Sequence, residues 1–238
     1  MRIVSWNINS LRRRQERFLG WLAATQPDVV CLQETKCTDE QFPVLDFKAA
    51  GYHSAFHGQK SYNGVAILSR AEPTGVRPAM CDEEEDPQAR VIAATIGELR
   101  VYSIYAPNGQ AVGSPAYDYK MKWYGRLRNC LQRETHAAPL VVCGDFNVAP
   151  QDVDVYDPDL WRGAIMCSDG ERKAFEEVCA IGLVDTLGRS FAVDILRLFM
   201  APSPARTVGP AIASMLIYLL MAVVLYVRPA GLFPAKGR

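Results

Sequence analysis

Val29-Val30-Cys31-Leu32-Gln33-Glu34 is the stretch on which the fold turns. Four apolar residues in a row, preceded by the breaker Gln26-Pro27-Asp28, read as a short strand buried on both faces. The run then meets a carboxylate. A charge just past a buried strand is costly unless it is paired or holds a cation. Glu34 therefore has two readings, a capping or salt-bridged side chain with Lys36 as partner, or a cation ligand. The same design recurs along the chain. Leu140–Cys143 is closed by Gly144-Asp145-Phe146-Asn147, Leu99–Tyr105 runs into Ala106-Pro107-Asn108-Gly109, and Arg2–Ile8 carries Asn7 near its end. In layered α/β proteins, polar residues at the carboxyl ends of buried strands gather on one edge, where ligands bind. Four such coincidences carry more weight than any single one.

Between these runs the pattern changes period. Ser10 can cap a helix with an apolar face of Leu11, Phe18, Leu19 and Leu22. Tyr52–Phe56 and Val65–Ser69 read as strands around the loop Gly58–Gly64, and the acidic run Asp82–Asp86 reads as a loop. Val91–Ile96 and Leu99–Tyr105 form a pair turned at Gly97-Glu98. Pro115–Glu134 and Glu171–Ile181 read as helices, and Leu183-Val184-Asp185 begins a further element. Alternating strands and helices predict an α/β or α+β body with layered sheets.

The overall charge is balanced at 26 basic and 26 acidic residues, but unevenly along the chain. Residues 191–238 hold five basic side chains and one acidic; subtraction leaves 21 basic and 25 acidic in residues 1–190, a net of −4. An acidic body does not grip nucleic acid by charge alone, though bound divalent cations offset some carboxylates locally. The seven cysteines are scattered without a CxxC, so reduced thiols are expected and zinc or disulfide frameworks are not. The short apolar start precedes Arg12-Arg13-Arg14, the reverse of a secretory signal, and predicts a cytoplasmic body.

The candidate chemistry rests on oxygen donors. Asp145 offers a carboxylate and Asn147 an amide two residues on. Glu34 offers a second carboxylate, and Asn7 can orient a carboxylate or a metal-bound water. Such a set suits Mg²⁺ or Mn²⁺, which keep several waters and take substrate phosphate directly. Tyr105 can donate to a phosphate oxygen. Each has a structural alternative: a turn Asp, a bare turn Asn, a Tyr packed at the sheet edge. His53, His57 and His136 show no metal spacing, and the absence of GxGxxG, P-loop and GxSxG motifs argues against nucleotide-fold or serine-nucleophile chemistry.

Taken together the segments resemble the exonuclease III family of AP endonucleases, within the endonuclease/exonuclease/phosphatase superfamily. They stand in the family's order: Trp6-Asn7-Ile8-Asn9, Leu32-Gln33-Glu34-Thr35-Lys36, Tyr62-Asn63-Gly64, Ala89-Arg90-Val91-Ile92, Tyr105-Ala106-Pro107-Asn108-Gly109, Lys120-Met121-Lys122-Trp123, Gly144-Asp145-Phe146-Asn147 and Gly182-Leu183-Val184-Asp185-Thr186. The resemblance spans residues 1–187. It implies a four-layer sandwich and Mg²⁺- or Mn²⁺-dependent hydrolysis of DNA, either 5′ to an abasic site or stepwise from a 3′ end. It implies Glu34, Asn7, Asp145 and Asn147 at the metal and Tyr105, Asp145 and Asn147 in catalysis. It implies Lys36, Arg90, Asn108 and Lys120 as substrate-binding side chains, with no obligate protein partner. The family's terminal Ser-Asp-His motif has no counterpart after Thr186, so a domain incomplete at its C-terminal end, with little activity, is expected.

The remainder reads differently. Residues 188–206 form a junction, Thr207–Val227 is 21 residues without a charge, and 228–238 is a basic tail. As a helix the uncharged run would span about 31 Å, enough for a bilayer core, and predicts membrane attachment. Its end, Tyr218–Val227 with Arg228-Pro229-Ala230-Gly231-Leu232-Phe233, resembles the C-terminus of branched-chain amino-acid ABC permeases. The alternatives are thus a membrane-anchored phosphodiesterase or phosphatase, or an inactive fusion product.

Overall fold

In the computed structural model, which describes residues 1–82, 84–135 and 138–186, the apolar runs become two four-stranded sheets. The expectations for 188–206, for the membrane-spanning 207–227, for 228–238 and for His136 lie outside those residues. Among the described residues no helix is long and apolar enough to cross a membrane. The first sheet has the order β1 (Ile3–Asn7), β2 (Val29–Gln33), β4 (Val65–Ser69), β3 (His53–His57). The second runs in chain order through β5 (Thr74–Arg77), β6 (Val91–Ile96), β7 (Leu99–Tyr105) and β8 (Leu140–Asp145).

Strand β2 explains the layering. Its five residues are all buried, and successive side chains point to opposite faces. Val29 and Cys31 join Val65, Ile67, Ile92, Ala94 and Val101 in a core between the sheets. Val30 and Leu32 turn the other way, against Leu11, Phe18 and Leu22 of α1 (Leu11–Thr25) and Phe47 of α2 (Val44–Ala49). The second sheet is covered by α3 (Pro115–Glu134), where Tyr102 of β7 meets Cys130 at 3.7 Å. After the short α4 (Pro158–Trp161), α5 (Asp169–Cys179) packs on α3. Two sheets are thus packed face to face, with helices on their outer faces.

Each sheet contains one parallel pair, β1 with β2 and β7 with β8. Asn7 is in register with Gln33, and Tyr105 with Asp145. Parallel pairing sends both carboxyl ends of a pair to the same edge, which gathers the polar residues.

Several expectations are corrected. Ser10 does not cap α1: no hydrogen bond from α1 reaches its side chain, and its backbone N–H donates to Glu34 O at 2.7 Å. The strand read as Leu140–Cys143 does not close at Gly144, which lies inside β8, where a Cβ would stand 2.1 Å from the Ile104 carbonyl oxygen. Strand β5 and the short helices α2 and α4 are not anticipated by the sequence reading. β5 is mostly exposed and irregular in register, so it lacks the apolar signature of its neighbours. The reading of all cysteines as reduced is also overturned. Cys81 and Cys130 form a disulfide with Cα atoms 5.2 Å apart. Arg126, paired with Asp82 at 2.7 Å, and Arg133, donating to Cys81 O at 3.0 Å, hold the Cys81 loop against α3.

Candidate active site

The four strand-end residues meet at one edge. Asn7 Nδ2 donates to Glu34 Oε1 and to Asp145 Oδ2, each at 2.9 Å. One amide therefore clasps a carboxylate from each sheet. Its own oxygen accepts from the Asn9 N–H at 3.1 Å, so Asn7 orients the carboxylates with its nitrogen and presents no oxygen to them. The loops beneath are tied the same way: Ile8 N–H donates to Gln33 O and Leu11 N–H to Thr35 O. Below them Gln33, buried, donates to Ser103 Oγ of β7 at 3.2 Å, bracing one sheet on the other.

Burial alone would raise the Glu34 carboxyl. Hydrogen bonds from Lys36, Asn7 and Tyr105 outweigh that, and its pKa falls below the usual glutamate value. Lys36 Nζ lies 2.7 Å from Glu34 Oε2 and also donates to Asn9 Oδ1 at 2.7 Å. The salt-bridge reading of Glu34 is therefore realised, within a larger cluster. Tyr105 is pushed up to about 12, first by burial and then by the Glu34 carboxylate it hydrogen-bonds. Its hydroxyl stays a proton donor at neutral pH. The Arg90 guanidinium sits over the Tyr105 ring at 4.9 Å and donates to Tyr105 O at 3.0 Å.

On the second sheet, Asp145 Oδ1 accepts from the Asn147 N–H at 3.0 Å, and Asn147 Nδ2 donates to Ala106 O at 2.8 Å. Glu34, Lys36, Asn9, Ser10 and Asn147 all have positive φ, between 44° and 83°. Backbone strain of this kind persists where surrounding contacts over-determine it, and it gathers at working sites. Asn108 is exposed in its turn, its Oδ1 taken by Gln110 N–H.

Lys120 does not belong with the substrate-facing group. Its side chain is 0 % exposed, paired at 2.5 Å with the equally buried Glu171. The resemblance that implied a substrate-binding role for Lys120 does not reveal that α3 turns it inward, where it donates to the loops after Tyr105 and Asp145.

Beside Glu34 opens a groove of about 910 Å³ lined by Asn9, Ser10, Arg13, Arg14, Arg17, Lys36 and Ser61, with Glu16 as its one acidic side chain. Helix α1 has no acidic residue in its first turn, so its positive end adds to these cations. In the sequence, Arg12–Arg14 served only to argue against a signal peptide. Cations at the start of a helix that follows a functional strand end were the available signal. Glu171 and Tyr124, which donates to Phe146 O, were also missed.

The set suits a hard divalent cation: two carboxylates from separate sheets with the Asn147 amide nearby, and the Lys36 ammonium on Glu34 shows that positive charge is already drawn there. Among the described residues no group of three or more His, Cys, Asp or Glu is close enough to hold a metal. A pair of carboxylates with neutral amides is the sparser kind of set, which leaves coordination positions to water and substrate phosphate.

These features define a class, a two-sheet α/β sandwich enzyme whose site spans the joined ends of both sheets. The chain belongs to the Endonuclease/Exonuclease/phosphatase family, whose model matches residues 4–210. It is 35% identical over 190 residues to an exodeoxyribonuclease of Bacillus subtilis, covering 78% of this chain and 74% of the relative. It is 34% identical to exodeoxyribonuclease III of Haemophilus influenzae at the same coverage. Among solved structures, the 3′ phosphatase NExo from Neisseria bound to product DNA hairpin superimposes with a TM-score of 0.78 at 41% identity, over 80% of this chain and 75% of that one. An AP endonuclease from Archaeoglobus fulgidus gives 0.75 at 38% identity, over 79% and 74%.

Proposed function

We propose that this chain hydrolyses phosphate esters of DNA, cutting the backbone 5′ to an abasic site or working from a 3′ end, with Mg²⁺ or Mn²⁺ as cofactor. The observation that carries the reading is the Asn7 clasp, which holds Glu34 and Asp145 together, with the Glu34 carboxylate helping to raise the Tyr105 hydroxyl. Relatives with DNA-processing names at 34–41% identity support it. So does the basic groove that shares Lys36 with the cluster, since cationic grooves take up a phosphate backbone.

Glu34 and Asp145 would hold the cation, with Asn7 fixing their orientation and the Asn147 amide beside them. When bound, it supplies charge that neutralises the phosphate and makes attack by water easier. The chain's own groups do the rest. Tyr105, protonated across the physiological range, donates its O–H to a non-bridging phosphate oxygen. Asp145, fixed by Asn7 and the Asn147 N–H, takes the proton of the attacking water or returns one to the leaving oxygen. His53 and His57 lie on β3, at the opposite edge of the first sheet from β1, and take no part. Lys36 and the α1 arginines hold the flanking backbone. A 3′-terminal phosphate is a second substrate, favoured by the 3′ phosphatase at 41% identity.

The test is incubation of the full chain, in detergent and Mg²⁺, with three labelled duplexes: one abasic, one with a plain 3′ end, one with a 3′ phosphate. Product lengths should show cutting 5′ to the abasic site or loss at the 3′ terminus. Intact label on all three, from folded protein, would overturn the reading.

A further inference from the structure

Lys120 lies on α3, outside the cluster that touches substrate, yet its ammonium has three N–H donors and three acceptors. These are Asn108 O at 3.1 Å, Asn147 O at 2.6 Å and Glu171 Oε1 at 2.5 Å. The first carbonyl belongs to the turn that follows Tyr105. The second belongs to the loop that follows Asp145. The third acceptor is itself anchored, since Glu171 takes the Met166 N–H at 3.0 Å, the Ser168 N–H at 3.1 Å and Ser168 Oγ at 2.6 Å. Lys120 and Glu171 are both wholly buried.

A buried ammonium needs all three N–H groups satisfied, but stability alone does not dictate that two of the acceptors come from the loops after Tyr105 and Asp145. The two carbonyls are a separate feature. Their oxygens accept from one cation, from loops that follow different strands, and a compact ammonium with three N–H groups serves both at once. We propose that Lys120 is a positioning residue that sets the distance between the Tyr105 loop and the Asp145 loop, and so the spacing of the group that donates to phosphate and the group that handles the water proton. This rests on the proposed hydrolysis of DNA phosphate esters. It gives a buried lysine a role in turnover through Tyr105, Asp145 and Asn147, with no contact to substrate.

The chemistry separates the two contributions of Lys120. Glu171→Gln removes the buried anion but leaves the ammonium and both carbonyl bonds. Lys120→Met removes the carbonyl bonds and strands the Glu171 charge. The double variant Lys120→Met/Glu171→Gln removes both charges, relieving the stranded anion without restoring the carbonyl bonds. Thermal midpoint and steady-state cleavage of an abasic duplex are measured for the wild type and all three.

The expected result is a double variant that regains much of the midpoint lost in Lys120→Met while its kcat stays down by about 10²-fold, the scale for misplacing reacting groups by roughly an ångström. KM should change by less than about threefold, because the groups that touch substrate are unaltered, and Glu171→Gln should keep kcat within about threefold despite a lower midpoint. The inference is overturned if kcat follows the midpoint across the series, or if Glu171→Gln loses turnover as fully as Lys120→Met. A wild type that folds and does not cut would overturn the underlying reading, and this inference with it. A cutting wild type with an unimpaired double variant would overturn this inference alone.

Discussion

Asn7 is a small residue with a large structural consequence. Its amide nitrogen is shared between two carboxylates that come from different sheets, and a side chain with no NH₂ group cannot repeat that. Replacing Asp145 with Asn removes the proton-handling carboxylate while keeping its shape. Cleavage should fall by about 10²–10⁴, the usual contribution of a general acid or base, with a modestly lower thermal midpoint, because both Asp145 oxygens accept hydrogen bonds and an amide has only one oxygen to offer. Tyr105→Phe removes a single O–H, lost to phosphate in the substrate complex and to Glu34 in the free protein. The first loss should lower kcat by about 10²–10³. The second has a sign that can be worked out. Glu34 is held below its ordinary value of 4.5 because its ionised form accepts hydrogen bonds, so activity that needs the carboxylate is lost only as pH falls through that depressed value. Without the tyrosine hydroxyl the carboxyl should protonate at higher pH, and the acidic limb of the pH–rate profile should move up. Tyr105 itself, raised to about 12, contributes no basic limb below that. A profile whose acidic limb does not move in Tyr105→Phe would count against the Glu34–Tyr105 hydrogen bond. At this scale Asn7, Glu34, Tyr105 and Asp145 were readable because each breaks an apolar run. The burial of Lys120 was not readable, because it depends on which face of α3 meets the second sheet, and a resemblance of sequence segments does not say that.

Elements carry the next level of the account. Helix α5 begins with a reciprocal cap: Glu171 N–H donates to Ser168 Oγ at 3.3 Å, and Glu171 accepts from Ser168 N–H. The same Glu171 is the counter-ion of Lys120, so one residue starts a helix and anchors a cation. Lys120→Met should destabilise the protein by about 3–5 kcal/mol, because it leaves a buried carboxylate without its partner; chemical denaturation measures this. A loss within about 0.5 kcal/mol, typical of a surface substitution, would mean the pair is not buried in solution. The Cys81–Cys130 disulfide joins the loop after β5 to α3 across 49 residues. Thiol titration of denatured, unreduced protein should count five free cysteines out of seven, and a count of seven would remove the disulfide. The helices and buried strands were legible from period and punctuation. The disulfide was not, since a loop and a helix so far apart in sequence announce no pairing. β5 and α2 escaped because they are short, with few buried side chains.

Over the whole molecule the two sheets have one job in common, to deliver a carboxylate each to the same edge. The apolar interior that stacks them is built from β2, β4, β6 and β7, and it was foreseen because those strands read as continuous apolar runs. How the sheets align could not be read from sequence, since it depends on the parallel registers of β1 with β2 and of β7 with β8. Neither could the groove beside the site, because the acidic balance of residues 1–190 hides a local concentration of Arg13, Arg14, Arg17 and Lys36. If the groove tracks a DNA backbone, Arg13→Ala/Arg17→Ala should weaken duplex binding and lower the slope of log affinity against log salt by about 2, near 0.9 for each phosphate that is no longer neutralised. An unchanged slope would take the groove out of the binding surface. The most direct measurement for the account as a whole is single-turnover cleavage of a duplex bearing one abasic site by wild-type protein and by Asp145→Asn, each with Mg²⁺ and with EDTA. The account predicts a cut 5′ to the abasic site only for wild type with Mg²⁺. Equal cutting by the variant, or cutting that survives EDTA, would contradict it.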